Sequence, residues 1–199
     1  MRYTGSKCKR CRAVNSSICG SIKCALTRKP NPPGQHGAAR KKRSEYATQL
    51  LEKQKIRWTY DLSERQFYNT FEKATKSKDV TGTALLQLLE TRLDNVVSRS
   101  GMVTTLSQAR QLISHGHFLL NGKKVSTASI RLFPGDKITV KEGSKSKVKL
   151  LQIREGAVLC DWLNYDKEAL SIEVLRVPER DQLDQTFREQ LVIEYYSRR

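Results

Sequence analysis

The first 44 residues hold twelve Lys/Arg, no Asp or Glu, four cysteines and almost no large apolar side chains. Tyr3, Val14, Ile18, Ile22 and Leu26 are nearly the whole apolar inventory. Such a segment cannot offset the entropy of ordering its backbone by burying a core. A staple has to order it. Two residues separate Cys8 from Cys11, seven separate Cys11 from Cys19, and four separate Cys19 from Cys24. Two thiolates three positions apart suit a turn that clamps one metal, and a second close pair completes a tetrahedron. Lys7, Lys9, Arg10, Arg12 and Lys23 would lower the thiol pKa values and offset the cluster's negative charge. Zinc is the default occupant, with an iron–sulfur cluster as the alternative for four thiolates. Cys160 stands apart and reads as a small core residue.

Lys29 to Gly37 carries three prolines and two glycines, which excludes regular structure. His36 within it reads as a backbone or phosphate contact, because four cysteines already fill the metal's tetrahedron. Arg40, Lys41, Lys42 and Arg43 follow with no acid nearby and read as a phosphate-contacting run.

Charge is unevenly spread over the remaining chain. Of the net +17, residues 45–90 contribute nothing, with seven cations and seven acids. Residues 91–154 hold twelve cations and three acids, and residues 155–199 hold six and ten. This balance excludes an acidic solvating protein and points to a polyanion, nucleic acid before an anionic membrane surface. No apolar run approaches a membrane span, and the N-terminus lacks the apolar stretch of a secretion signal. A cytosolic, soluble nucleic-acid binder is expected. The charge blocks suggest a basic arm over 1–44, a discontinuous, mainly helical body over 45–90 and 155–199, and an inserted RNA-binding module over 91–154. The fold class is α+β.

Local patterns place the elements. Ser44 caps a helix from Glu45 to about Ile56, with Tyr46, Leu50 and Leu51 toward one side. It carries Lys53 and Lys55. Ser63-Glu64-Arg65-Gln66 is a capping box that opens a helix to about Lys76, with Phe67, Phe71 and Ala74 inward. One longer helical stretch is expected from Thr81 to Gly101. On it Arg92, Asn95 and Arg99 share a face opposite Leu93, Val96 and Val97. Ser107 caps a helix over 108–115 with Gln108, Arg110, Gln111 and His115 outward. Phe118 to Val125 spells a hairpin that turns at Asn121-Gly122, with Lys123 and Lys124 on its second strand. A further strand is expected over 172–177 and a last helix near the C-terminus. Two short helices on a small sheet, with polar helix faces and a basic hairpin, suit reading folded RNA by shape and phosphate.

Residues 91–140, from Thr91-Arg92-Leu93-Asp94-Asn95 through Ala109-Arg110-Gln111-Leu112-Ile113-Ser114-His115-Gly116-His117 to Pro134-Gly135-Asp136-Lys137-Ile138, resemble the RNA-binding module named after the fourth protein of the small ribosomal subunit. Pro32-Pro33-Gly34-Gln35-His36-Gly37, Glu52-Lys53-Gln54-Lys55, Ser63-Glu64-Arg65-Gln66-Phe67 and Glu189-Gln190-Leu191-Val192-Ile193-Glu194-Tyr195-Tyr196-Ser197 extend the resemblance to the bacterial-type family of that protein, in its four-cysteine, metal-binding branch. The resemblance covers essentially the whole chain. It implies a structural constituent of the small subunit that binds ribosomal RNA at a junction in the 5′ domain, nucleates assembly and contributes to decoding accuracy. It implies contacts with the fifth small-subunit protein and with messenger RNA near its entry site, and a cytoplasmic, ribosomal location. No homo-oligomer and no membrane contact are expected. RNA contacts are expected from His36, Arg40, Lys41, Lys42, Arg43, Lys53, Lys55, Arg65, Arg92, Asn95, Arg99, Arg110, Gln111, His115, Asn121, Lys123 and Lys124.

The rival is an RNA-modifying enzyme carrying the same module, because Arg92-Leu93-Asp94 mimics the signature around the catalytic Asp of pseudouridine synthases. No separate catalytic domain of adequate length remains beside the module, so the chain is expected to catalyse nothing. Asp94 is then structural, a helix-start residue or a partner for Arg110, and its replacement by Asn is expected to cost little stability. A DNA-binding zinc protein would need a long recognition helix beside the cysteines, which Pro30 to Gly37 preclude.

Overall fold

The structure, a computed structural model, describes residues 3, 5–19, 24–32, 34–39, 42–149 and 160–198. The chain divides into two compact units, one of Met1–Gly82 with Asp184–Arg199, the other of Thr83–Leu183. The fold is α+β. No helix among the described residues is long and apolar enough to cross a membrane.

In the first unit, α1 (Lys7–Val14) and α2 (Ala25–Arg28) lie in the arm, and α3 (Glu45–Thr59) and α4 (Glu64–Thr75) form the body with α9 (Glu189–Ser197). Ser44 accepts from the Ala47 amide, and Ser63 and Gln66 close the capping box at the start of α4. Each satisfies amides that a helix N-terminus leaves without partners. Phe67, Phe71 and Ala74 are buried as their spacing predicts, and Phe71 meets the Tyr196 ring at 4.5 Å between centroids.

The buried stripe of α3 departs from expectation. Tyr46 is exposed, whereas Gln49, Lys53 and Ile56 are buried. Gln49 Nε2 donates to Glu194 of α9 at 3.0 Å. Lys53 Nζ donates to Glu64 at 2.7 Å and lies 4.7 Å from the centre of the Tyr195 ring. Charged partners from α4 and α9 thus make a polar stripe an inward one. Burial opposes ionisation of Glu64, but the Lys53 ammonium and the Tyr196 hydroxyl overcome it and hold the carboxyl below its ordinary 4.5. Depression of a carboxyl on folding stabilises the native state above the unfolded value and is lost as pH falls through the folded one. Lys53→Met is therefore expected to cost only about 1 kcal/mol, because Glu64 stays partly hydrated, and to flatten the acid limb of stability below 4.5. Urea unfolding followed between about pH 3 and pH 6 checks both effects.

The second unit begins with α5 (Thr81–Glu90), which runs in from the first. The long helix expected to Gly101 is broken: α6 (Leu93–Arg99) starts afresh after an extended Arg92. The reason lies in a remote loop. Leu93 and Asp94 donate their amides to the carbonyls of Ile130 and Ala128, and Leu132 donates to Thr91. These bonds serve the helix start that α5 would otherwise have covered. Then come α7 (Leu106–Ser114), β1 (Phe118–Leu120), β2 (Lys123–Val125), β3 (Lys137–Val140), α8 (Lys145–Lys149), β4 (Leu163–Asp166) and β5 (Ser171–Val174). Thr105 rather than Ser107 caps α7.

The five strands form one antiparallel sheet in the order β2-β1-β3-β5-β4, with Phe118 opposite Val140 and Ile138 opposite Ile172. Residues 163–174, grouped with the body on charge, therefore complete the sheet begun by the hairpin. Their acids reflect the outer face, while Leu163, Ile172 and Val174 are buried in a core with Leu93, Val97, Ile113, Phe118 and Trp162.

Candidate nucleic-acid interface and cysteine cluster

Backbone geometry at the hairpin is what its sequence requires. Asn121 and Gly122 have φ of 49° and 79°, the left-handed pair of a type I′ turn. Asn121 Nδ2 donates to Asp136 Oδ1 at 2.8 Å, and Asn121 Oδ1 accepts from the Lys137 backbone amide at 2.8 Å. Asn121 thus ties two turns together, and Lys123 and Lys124 stand exposed beside it. Lys124 crosses Gly116, where a Cβ would collide with its Cε. Gln111 and His115 are exposed on α7, and the His115 ring lies 6.1 Å from that of His117.

The arginines expected to face outward are anchored from beneath. Asp94 is fully buried. Arg92 grips it in a fork, Nε to Oδ1 and Nη2 to Oδ2, both at 3.1 Å, and Arg110 Nε donates to Oδ2 at 2.6 Å. Glu90, 2 % exposed, does the same for Arg99, whose Nη2 and Nε donate to its two oxygens at 2.6 and 3.2 Å. Asn95 donates to the same Glu90 carboxylate and to its carbonyl oxygen. The sequence offered Arg110 as a partner for Asp94, and that pair is present, but the fork from Arg92 and the Glu90 anchor were missed. One signal was present: Asp94 and Glu90 are rare acids beside or within a strongly basic stretch.

Several placements are corrected by this geometry. Asn95 is buried on Glu90 rather than displayed with Arg92 and Arg99, because its Nδ2 turns back to the carbonyl and carboxylate of Glu90 at the end of α5. Lys53 is buried in its ion pair with Glu64. Lys55 Nζ donates to the Thr186 carbonyl at 2.5 Å. His36, Lys42, Arg43 and Arg65 are exposed, and Arg40 and Lys41 lie outside the described residues. Asp94 also carries more than a helix start. Two guanidinium groups depend on it, and removing one member of a buried ion network leaves uncompensated charge. Asp94→Asn is expected to cost about 3 kcal/mol, read as a lower urea midpoint. A cost under about 1 kcal/mol would show that the network contributes no more than a surface pair.

In the arm, the sulfurs of Cys8, Cys19 and Cys24 lie within 4.8 Å of one another and could hold a metal ion. Cys11 is fully buried and reaches Cys19 and Cys24 through its thiol. Burial pushes Cys11 up to about 12, whereas the Leu26 amide brings Cys24 down to about 7. Three converging sulfurs form a soft donor set of the kind that suits a thiophilic metal. Arg10 of α1 anchors this cluster to α3: its guanidinium lies 3.6 Å from the Tyr3 ring centre and 5.3 Å from that of Trp58, and 3.5 Å from Asp61. Burial raises the Cys160 thiol, in keeping with a core residue.

Residues 2–90 match the ribosomal protein S4/S9 N-terminal domain, and residues 91–138 match the S4 domain. The small ribosomal subunit protein uS4 of Gloeobacter violaceus is 47% identical over 206 residues, spanning 99% of each chain. That of Thermus thermophilus is 47% identical over 207 residues with the same coverage. The uS4 protein of Rubrobacter xylanophilus is 46% identical over 198 residues, again across 99% of both.

Proposed function

Because the chain belongs to the ribosomal protein S4 family, we propose that it is a structural constituent of the small ribosomal subunit, held there by binding ribosomal RNA. The observation that carries this reading is the pairing of Arg92, Arg99 and Arg110, within the stretch that matches the S4 domain, on buried carboxylates. Side chains anchored in this way present charge at defined points, as recognition of a folded RNA by shape and phosphate requires. Exposed Lys123 and Lys124 on the hairpin, and Gln111 and His115 on α7, extend the surface. Lys42, Arg43 and Arg65, with Arg40 and Lys41, add phosphate contacts in the first unit.

The RNA target is a junction in the 5′ domain of the small-subunit RNA. Binding there nucleates assembly, and the bound protein contributes to decoding accuracy from a cytoplasmic ribosome. Its neighbours are the fifth small-subunit protein and messenger RNA near the entry site. Zinc fits the cysteine cluster: Cys8, Cys11, Cys19 and Cys24 would hold it, and its role there is to order an arm that lacks a core. The protein is not an enzyme. The pseudouridine synthase reading needs an Asp94 that a flipped base can reach, and Asp94 is fully buried between two arginines. Sedimentation of a tagged chain through a sucrose gradient at moderate salt tests the reading. Comigration with the small subunit supports it, and recovery only among free proteins would overturn it.

A further inference from the structure

We infer that Asp94 is a positioning residue for RNA recognition, which sets Arg92 and Arg110 as one fixed pair of guanidinium groups for the phosphates of a folded RNA. The inference rests on the proposed function. It starts from a conflict of signs. An acid on an RNA-binding surface repels phosphate, and its removal should tighten binding by simple charge neutralisation. Yet this module of twelve cations places one of its three acids beneath two of its arginines. The carboxylate is buried, so it contributes little repulsion at the surface that the flanking cations do not cancel. What it supplies is geometry.

Arg92 is held through Nε and Nη2, and Arg110 through Nε. Both side chains are mostly buried, 12% and 15% exposed, so each is held with little freedom to move. The two come from different elements, the N-cap of α6 and the middle of α7, eighteen positions apart in sequence. Asp94 is the atom set they share. An arginine free on the surface gives up rotamer entropy when it meets a phosphate, whereas one already fixed on a buried carboxylate does not. Glu90 repeats the device with Arg99, gripping it with both oxygens. The pair Arg92–Arg110 retains a net single positive charge after Asp94 is counted, presented across a fixed spacing that a flexible polycation does not have. It therefore selects among RNA shapes rather than adding general affinity for phosphate.

The test compares affinity for a transcript of the 5′ domain of bacterial small-subunit ribosomal RNA with affinity for an unrelated RNA duplex of equal length. The full chain is used throughout, at a temperature where circular dichroism shows each variant folded. Arg110→Lys keeps the charge and loses the directed Nε bond to Asp94. It is expected to weaken binding to the transcript roughly fivefold or more, with the salt dependence unchanged. Asp94→Asn is expected to weaken the transcript complex by a similar factor while leaving duplex binding equal or tighter. Glu142→Gln, an acid 87% exposed in the same unit, serves as the charge control and should leave the ratio unchanged. Should Asp94→Asn fail to fold, Arg110→Lys and Arg92→Lys decide. Transcript binding by Asp94→Asn as tight as or tighter than the parent, or full affinity in the lysine variants, would overturn the inference while leaving the proposed function standing. A parent chain that does not prefer the transcript over the duplex would overturn both.

Discussion

Raising monovalent salt from about 50 to 200 mM is expected to weaken the complex with ribosomal RNA by roughly 10³–10⁵-fold. The expectation follows from counting cations that can displace condensed counterions. Lys42, Arg43, Arg65, Lys123 and Lys124 are exposed. Arg40 and Lys41 continue the same basic run, and Arg92, Arg99 and Arg110 are partly exposed. Neutralising about 6–10 phosphates with such a set gives the slope behind that range. The buried anchors temper it, because the Arg99–Glu90 pair is neutral and the Arg92–Asp94–Arg110 set carries one net charge. Lys123→Ala and Lys124→Ala should therefore each lower the slope by about one phosphate, whereas Arg99→Ala should lower it by less and cost more stability. Filter binding or fluorescence anisotropy over a salt series measures both. A nearly flat dependence would mean that phosphates are not the dominant contact.

Cys19→Ser is expected to abolish stoichiometric metal binding and to release the arm from α3. Structural zinc supplies on the order of 10–16 kcal/mol of apparent binding free energy, far beyond what the arm's few apolar side chains provide. Cys19 is the right target because its sulfur belongs to the converging set and it interacts with both Cys11 and Cys24. Trp58 offers a local reporter, since Arg10, which stands over its ring, belongs to the helix that carries Cys8 and Cys11. Loss of metal should shift Trp58 emission and open the arm to protease, while Trp162, buried in the sheet core, stays unchanged. Elemental analysis of anaerobically purified parent protein should give about one metal per chain, in keeping with one four-thiolate site. Protein that is well folded without metal would contradict the assignment.

Legibility in the sequence followed the range of the interaction. The capping box at Ser63, the Phe67–Phe71–Ala74 stripe and the Asn121-Gly122 turn are local devices, read from residues within four of one another. The convergence of Cys8, Cys19 and Cys24 was legible because their spacing alone brings them together. Gln49 and Lys53 on the inner face of α3 were not, since the partners that allow a polar stripe to be buried include Glu194 and Tyr195, far along the chain. The break between α5 and α6 escaped for the same reason: carbonyls of residues 128 and 130 create it. Grouping 163–174 with the body failed because net charge reports the outer face of a strand and says nothing of its hydrogen-bonded neighbour. Asp94 and Glu90 show the limit most clearly. Periodicity assigns a helix face to an acid, but only the packing of α6 against α7 shows that the acid holds arginines from below.

Specific binding of ribosomal RNA by this chain is tested most directly by equilibrium titration of the purified, metal-replete protein into the 5′-domain transcript. A saturable, equimolar complex that survives an excess of unrelated RNA duplex and of duplex DNA of the same length is expected. Binding that the unrelated duplexes displace as readily as the transcript itself would contradict it.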